Sequence, residues 1–85
     1  MTTTEFKHFY GQYITKKRRE IGLSQEECAE VIGISKDALS RIERGINAPN
    51  YYTSFALHKY LQLDFDYLFS AYEKYIDGQD TSDEE

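Results

Sequence analysis

The stretch that decides the fold is Gln25-Glu26-Glu27-Cys28-Ala29-Glu30-Val31-Ile32-Gly33-Ile34-Ser35-Lys36-Asp37-Ala38-Leu39-Ser40-Arg41-Ile42-Glu43-Arg44. It reads as two short helices joined by a tight turn at Gly33-Ile34-Ser35. Ser24-Gln25-Glu26-Glu27 is a capping box: the Ser24 hydroxyl can accept from the Glu27 amide while the Glu27 carboxylate reaches back to Ser24. That box opens a helix running to Ile32, with Cys28, Ala29 and Ile32 on its inner face. Ser35 is the N-cap of the next helix, which runs to about Arg44 and stops at Gly45. On this third helix Ala38, Leu39 and Ile42 form an apolar strip. Lys36, Asp37, Ser40, Arg41 and Arg44 form a polar strip on another side. A helix anchored by one strip can offer the other to a groove. Lys and Arg can donate to guanine O6 and N7, Asp can accept from cytosine N4, and Ser can do either or touch a phosphate. Asp37 has a second reading, an ion pair with Arg41 four residues on.

Outward from this segment the apolar spacing stays helical. Phe6, Phe9, Tyr10, Tyr13 and Ile14 recur at three and four, which predicts a first helix from about Phe6 to Glu20. Gly11 within it costs about 1 kcal/mol relative to Ala. Gly22 suits the left-handed residue that closes a helix. Asn50 can cap a fourth helix reaching Leu61, and Asp64 a fifth reaching about Ile76. No segment alternates with period two between turn signals. The chain therefore reads as all-α, one domain of about five helices over residues 1–76.

Composition sets the outer limits. The 85 residues carry a net charge of -5, with 40% hydrophobic and 29% charged residues, as in a folded globular domain. No run of about 18 apolar residues is present to cross a membrane. The N-terminus lacks the basic flank and apolar stretch of a secretory signal, so the expected compartment is the cytoplasm. The single cysteine, Cys28, excludes an internal disulfide and a cysteine-based zinc site, and reads as a small buried hydrophobe. His8 and His58 stand at no ligand spacing, so no metal is expected. No nucleophile comes with a recognisable base and no glycine-rich phosphate loop is present, so the chain reads as a non-enzyme without a cofactor.

The charge is unevenly distributed. Residues 77–85 hold Asp77, Asp80, Asp83, Glu84 and Glu85 and no base, and read as an acidic, solvated, disordered tail. The remaining 76 residues balance ten basic against ten acidic groups. Four bases are consecutive, Lys16-Lys17-Arg18-Arg19, so local distribution matters more than the sum.

Ser24-Gln25-Glu26-Glu27-Cys28-Ala29-Glu30-Val31-Ile32-Gly33-Ile34-Ser35, with Leu39-Ser40-Arg41-Ile42-Glu43-Arg44-Gly45 and Pro49, resembles the lambda-repressor-like, Cro-type helix-turn-helix domain of the XRE family. The resemblance runs from about Tyr13 to Phe69. It implies a compact five-helix domain that binds operator DNA in the major groove, commonly as a homodimer, to regulate transcription. It places Lys36, Asp37, Ser40 and Arg41 at base-facing positions. It places Gln25, Ser35, Arg44 and Asn47 near the sugar-phosphate backbone, and Arg18 with Glu43 as an internal pair between the first and third helices. Of the first-helix bases, Lys17 and Arg19 are the remaining candidates for phosphate contact. The sequence departs from the family pattern at Cys28, His58 and Tyr60, which stand where other side chains are usual.

Nine aromatic residues follow Pro49, more than a core of this size can hide. Phe65, Phe69, Tyr72, Tyr75 and Ile76 on the last helix are the expected dimer interface, since tyrosine is favoured in such contacts. The expected function is a sequence-specific DNA-binding transcriptional regulator, a repressor acting as a homodimer on a palindromic operator. Two other readings stay open. One is an antitoxin with the same DNA face and a toxin, or an antirepressor, on its aromatic half. The other is a protein-interaction module that has lost DNA binding.

Overall fold

Each helix begins where a small polar side chain can satisfy free amides, and the first four of the five end within a residue or two of where the sequence places their ends. The computed structural model describes residues 2–84, with side chains through residue 78. Five helices are present: α1 (Thr3–Ile21), α2 (Gln25–Ile32), α3 (Lys36–Glu43), α4 (Tyr51–Leu61) and α5 (Phe65–Glu84). No strand occurs among the described residues.

Ser24, Ser35 and Asn50 accept from the amides of Glu27, Ala38 and Thr53 at 2.8–3.0 Å. The capping box is complete, with the Ser24 amide donating to Glu27 Oε1 at 2.9 Å. Gly22 and Gly33 close α1 and α2 in the left-handed region, at φ 93° and 82°. α1 starts three residues earlier than the apolar spacing places it. The reason is Thr2, whose side chain accepts from the Glu5 amide at 3.1 Å and caps a turn that carries no apolar periodicity.

α5 differs more. Asp64 caps it through the Tyr67 amide at 3.0 Å, but the helix continues past Ile76 to Glu84. Gly78 does not stop it, since its φ stays negative. Glycine lowers helix propensity without forbidding the conformation. The expected tail begins inside this helix; the side chains of 79–85 lie outside the described residues.

The core gathers one face from each of α1 to α4, and Phe65 of α5 packs against it. Ile14, Cys28, Ala29, Ile32, Leu39, Ile42, Ala56, Leu57, Leu61 and Leu63 form a single buried cluster. At ~1.5–3 kcal/mol per fully buried aliphatic side chain, this cluster is the main stabilising term. Its effect on function is positional: Leu39 and Ile42 lock the inner face of α3, so the polar strip has to face outward.

Candidate nucleic-acid interface

α3 is held from beneath by a buried polar junction. Arg18 of α1 donates from Nε to Glu43 Oε2 at 2.7 Å and from a terminal nitrogen to Oε1 at 3.1 Å. This is the bond between first and third helices that the resemblance implies. Arg18 also donates to the Leu23 carbonyl at 2.8 Å, and Gln25 of α2 donates to Glu43 Oε1 at 3.0 Å. One carboxylate thus ties three helices together. Hydrogen bonding to Glu43 raises the Arg18 pKa above its already high ordinary value. Arg18 and Glu43 are 7% and 8% exposed, so both charges are consumed inside the domain.

Above this junction the polar strip is open to solvent. Lys36, Asp37, Arg41 and Arg44 are exposed, and Ser40 is half-buried between them. Among the described residues Asp37 and Arg41 form no ion pair with each other. Both therefore remain free to meet a base edge. Ser35 accepts from the Ala38 amide, which leaves its hydroxyl proton free to donate to a phosphate. Arg44 folds back on its own helix and donates from Nε to the Ser40 carbonyl at 3.3 Å. Asn47 is exposed on the turn after α3, where its amide and that of Ile46 both donate to the Arg41 carbonyl, at 3.3 and 2.9 Å. That turn is a continuation of α3, so Asn47 keeps a fixed place relative to Arg41.

Beside the strip lies a hollow of about 640 Å³, lined by Thr15, Arg18, Arg19, Ser24, Gln25, Glu26, Lys36, Glu43 and Arg44. Three cations with free charge, Arg19, Lys36 and Arg44, converge there on the N-terminus of α2, whose first amides add partial positive charge. Glu26 brings one negative charge to the rim. Gln25 has one amide hydrogen on Glu43 and a second available, so it can stand at this hollow and support α3 together.

Not every expected contact gathers here. Lys17 points to the other side of α1: it lines a separate hollow with Tyr13, Asp64 and Tyr67 and pairs with Glu20 at 3.8 Å. At 100° per residue it points to nearly the opposite side of the helix from Arg19, and Arg18 between them points inward. Thr15 was missed by the sequence reading, although it stands one turn before Arg19 on the same face. The aromatic set also divides. Tyr72 is 6% exposed because Phe6 and Phe9 of α1 cover it, at ring distances of 5.0 and 5.2 Å. It belongs to the monomer's own packing. Phe65 is half-buried against the core. Phe69 and Tyr75 stay exposed, at 51% and 43%, and Ile76 is half-buried. Phe55 at 59% joins them from α4.

The remaining candidates are structural. Cys28 is 1% exposed, and burial pushes its thiol pKa up, away from the reactive thiolate. His58 Nδ1 meets the Leu63 carbonyl at 2.9 Å, and its ring stacks on Phe65. Among the described residues no group of His, Cys, Asp or Glu is arranged to hold a metal, and no helix is long and apolar enough to cross a membrane.

Two short helices in fixed relation, the second with an inward apolar face and an outward polar strip, define a helix-turn-helix domain of the DNA-binding kind. The chain belongs to the helix-turn-helix family HTH_3, whose model matches residues 14–68. Among solved structures it is similar to an HTH_3 family transcriptional regulator from Vibrio cholerae. The two are 30% identical with a TM-score of 0.70, over 82% of this chain and 39% of that one. The chain thus spans well under half of that protein. The restriction-modification controller protein C.AhdI from Aeromonas hydrophila is 26% identical, with a TM-score of 0.66, over 73% of this chain and 94% of that one. The clp gene regulator ClgR from Corynebacterium glutamicum shares the fold, with a TM-score of 0.74 at 18% identity, over 93% of this chain and 84% of that one. No curated protein matches the chain.

Proposed function

We propose that this chain is a cytoplasmic, sequence-specific transcriptional regulator, a repressor that binds a palindromic operator as a homodimer. The observation that carries the reading is the open strip Lys36, Asp37, Ser40 and Arg41 on a helix whose other face is locked by Leu39 and Ile42. That strip enters the major groove, with Lys36, Ser40 and Arg41 reading bases and Asp37 accepting from a cytosine. The hollow beside the strip receives a phosphate, bound by Arg19, Gln25 and Arg44, and Ser35 and Asn47 donate to neighbouring phosphates. These contacts set register. The regulator and controller-protein neighbours support the regulatory part of the reading.

The test is selection of bound duplexes from a random pool, followed by two variants on the recovered site. Arg41→Ala is expected to relax base preference at one position per half-site and cost ~1–3 kcal/mol. Arg19→Ala is expected to weaken binding evenly on all sequences and lower the salt slope by about one. Lys17→Ala, on the far side of α1, is expected to leave the slope unchanged. If no duplex is retarded at low salt, the chain is an interaction module and the proposal fails.

A further inference from the structure

We propose that the cleft between α1 and the turn after α3 is a binding site for a small single-ring carboxylate, bordering the DNA face at Asn47. The cleft has a volume of about 240 Å³ and is walled by Phe6 and Tyr10 on one side and by Ile42 and Pro49 on the other. That volume takes one ring and excludes a helix or a strand of a partner protein, whose backbone alone is wider. Mostly apolar walls with one or two polar groups at the rim are the usual make-up of a small-molecule site. Phe6 and Tyr10 offer ring faces and edges, 5.9 Å apart between centroids and tilted by 46°.

The polar groups at the cleft select the ligand's charge. Lys7 stands at the rim, and its ammonium donates to the Ile46 carbonyl at 3.4 Å, at the long limit of a hydrogen bond. A carboxylate offers that ammonium a shorter, charge-assisted bond. The cleft carries a cation and no acidic side chain. An anionic ring satisfies that cation, whereas a hydrocarbon ring does not. The position also matters. Ile42 lies on α3, and Ile46 and Asn47 bond to the Arg41 carbonyl, so the cleft adjoins the reading helix without overlapping its outer strip.

The experiment is a titration of the full chain, free of DNA, with benzoate, toluene and acetate, read by amide nitrogen–proton NMR spectra. Benzoate is expected to shift the amides of Lys7, Ile46 and Asn47 saturably in the millimolar range, with toluene and acetate at least about tenfold weaker. Lys7→Met is expected to weaken benzoate about tenfold without lowering the melting temperature, because the exposed Lys7 bond adds little stability. Ala48→Phe, which fills the cleft from its rim, is expected to abolish the shifts; if that variant fails to fold, Lys7→Met still decides. No saturable shift, shifts clustered elsewhere, or an equal response to toluene would each overturn the proposal. Because no DNA is present, the outcome is independent of the operator-binding reading.

Discussion

Gly11 sits in mid-helix at a position where local propensity argues for alanine. A Cβ there would stand 2.4 Å from the Glu43 carbonyl oxygen and 2.6 Å from that of Ile42. Both are backbone atoms at the C-terminal end of α3, and the absent side chain is what lets α1 and α3 touch. Gly11→Ala gains about 1 kcal/mol of helix propensity and loses more by forcing the two backbones apart. A net loss of about 1–3 kcal/mol is expected, visible as a lowered thermal midpoint; a raised midpoint would show that the approach is softer than the distances say. Two turns further along the same face stands Arg18, and there the consequence is electrostatic. Arg18→Met strands the Glu43 carboxylate in the interior and is expected to cost about 3–5 kcal/mol, a large share of a small domain's stability. Replacing both residues by apolar ones of similar volume is expected to recover much of that loss. Denaturant midpoints of the single and double variants check this, and equal loss in both would mean the pair is not a unit. The sequence shows Gly11 only as a propensity penalty, because the compensating contact lies 32 residues away in a different helix. The Arg18 and Glu43 pair is legible only through the family's register, since nothing local distinguishes Arg18 from Lys16, Lys17 or Arg19.

At the scale of elements, the helix starts were legible because capping is local chemistry. Ser24, Ser35, Asn50 and Asp64 each act within three residues of themselves. The end of α5 was not legible, because no left-handed residue or proline marks it, and composition alone cannot distinguish a charged helix from a charged coil. The facing of the first-helix bases was only partly so: helical rotation separates Lys17 from Arg19, but the inward direction has to be known first. The capping box carries a pH dependence of its own. The Ser24 amide, and after it the Ser24 hydroxyl, hold the Glu27 carboxyl below its ordinary value of 4.5. A depressed carboxylate stabilises the fold above the ordinary value, and the contribution is lost as pH falls through the depressed one. The wild-type melting temperature is therefore expected to fall more steeply below pH 4.5 than that of Glu27→Gln, with the two curves converging in acid. Parallel curves over that window would remove Glu27 from the cap's energetics.

For the whole molecule, the question is what covers the aromatic surface. Phe55 lies one turn before His58 on α4, His58 stacks on Phe65, and Phe65 stacks on Phe69 at 6.1 Å. These side chains form a continuous band across α4 and α5, away from the strip on α3. In the proposed dimer, two copies joined through such a band would leave both α3 strips free, as two half-sites about 34 Å apart require. The structure divides the expected interface by which rings the monomer already uses. Tyr72 is covered by Phe6 and Phe9, so Tyr72→Ala is expected to lower the monomer's stability by about 3 kcal/mol or more, the range for truncating a large buried ring. Phe69 is half exposed, so Phe69→Asp is expected to spare the fold and weaken self-association by about 2 kcal/mol or more. Light scattering across a concentration series, paired with melting curves, separates the two effects. If the wild-type chain stays monomeric at high concentration, or if Phe69→Asp unfolds the domain before it dissociates a dimer, the band belongs to the monomer. The palindromic operator would then lose its structural basis.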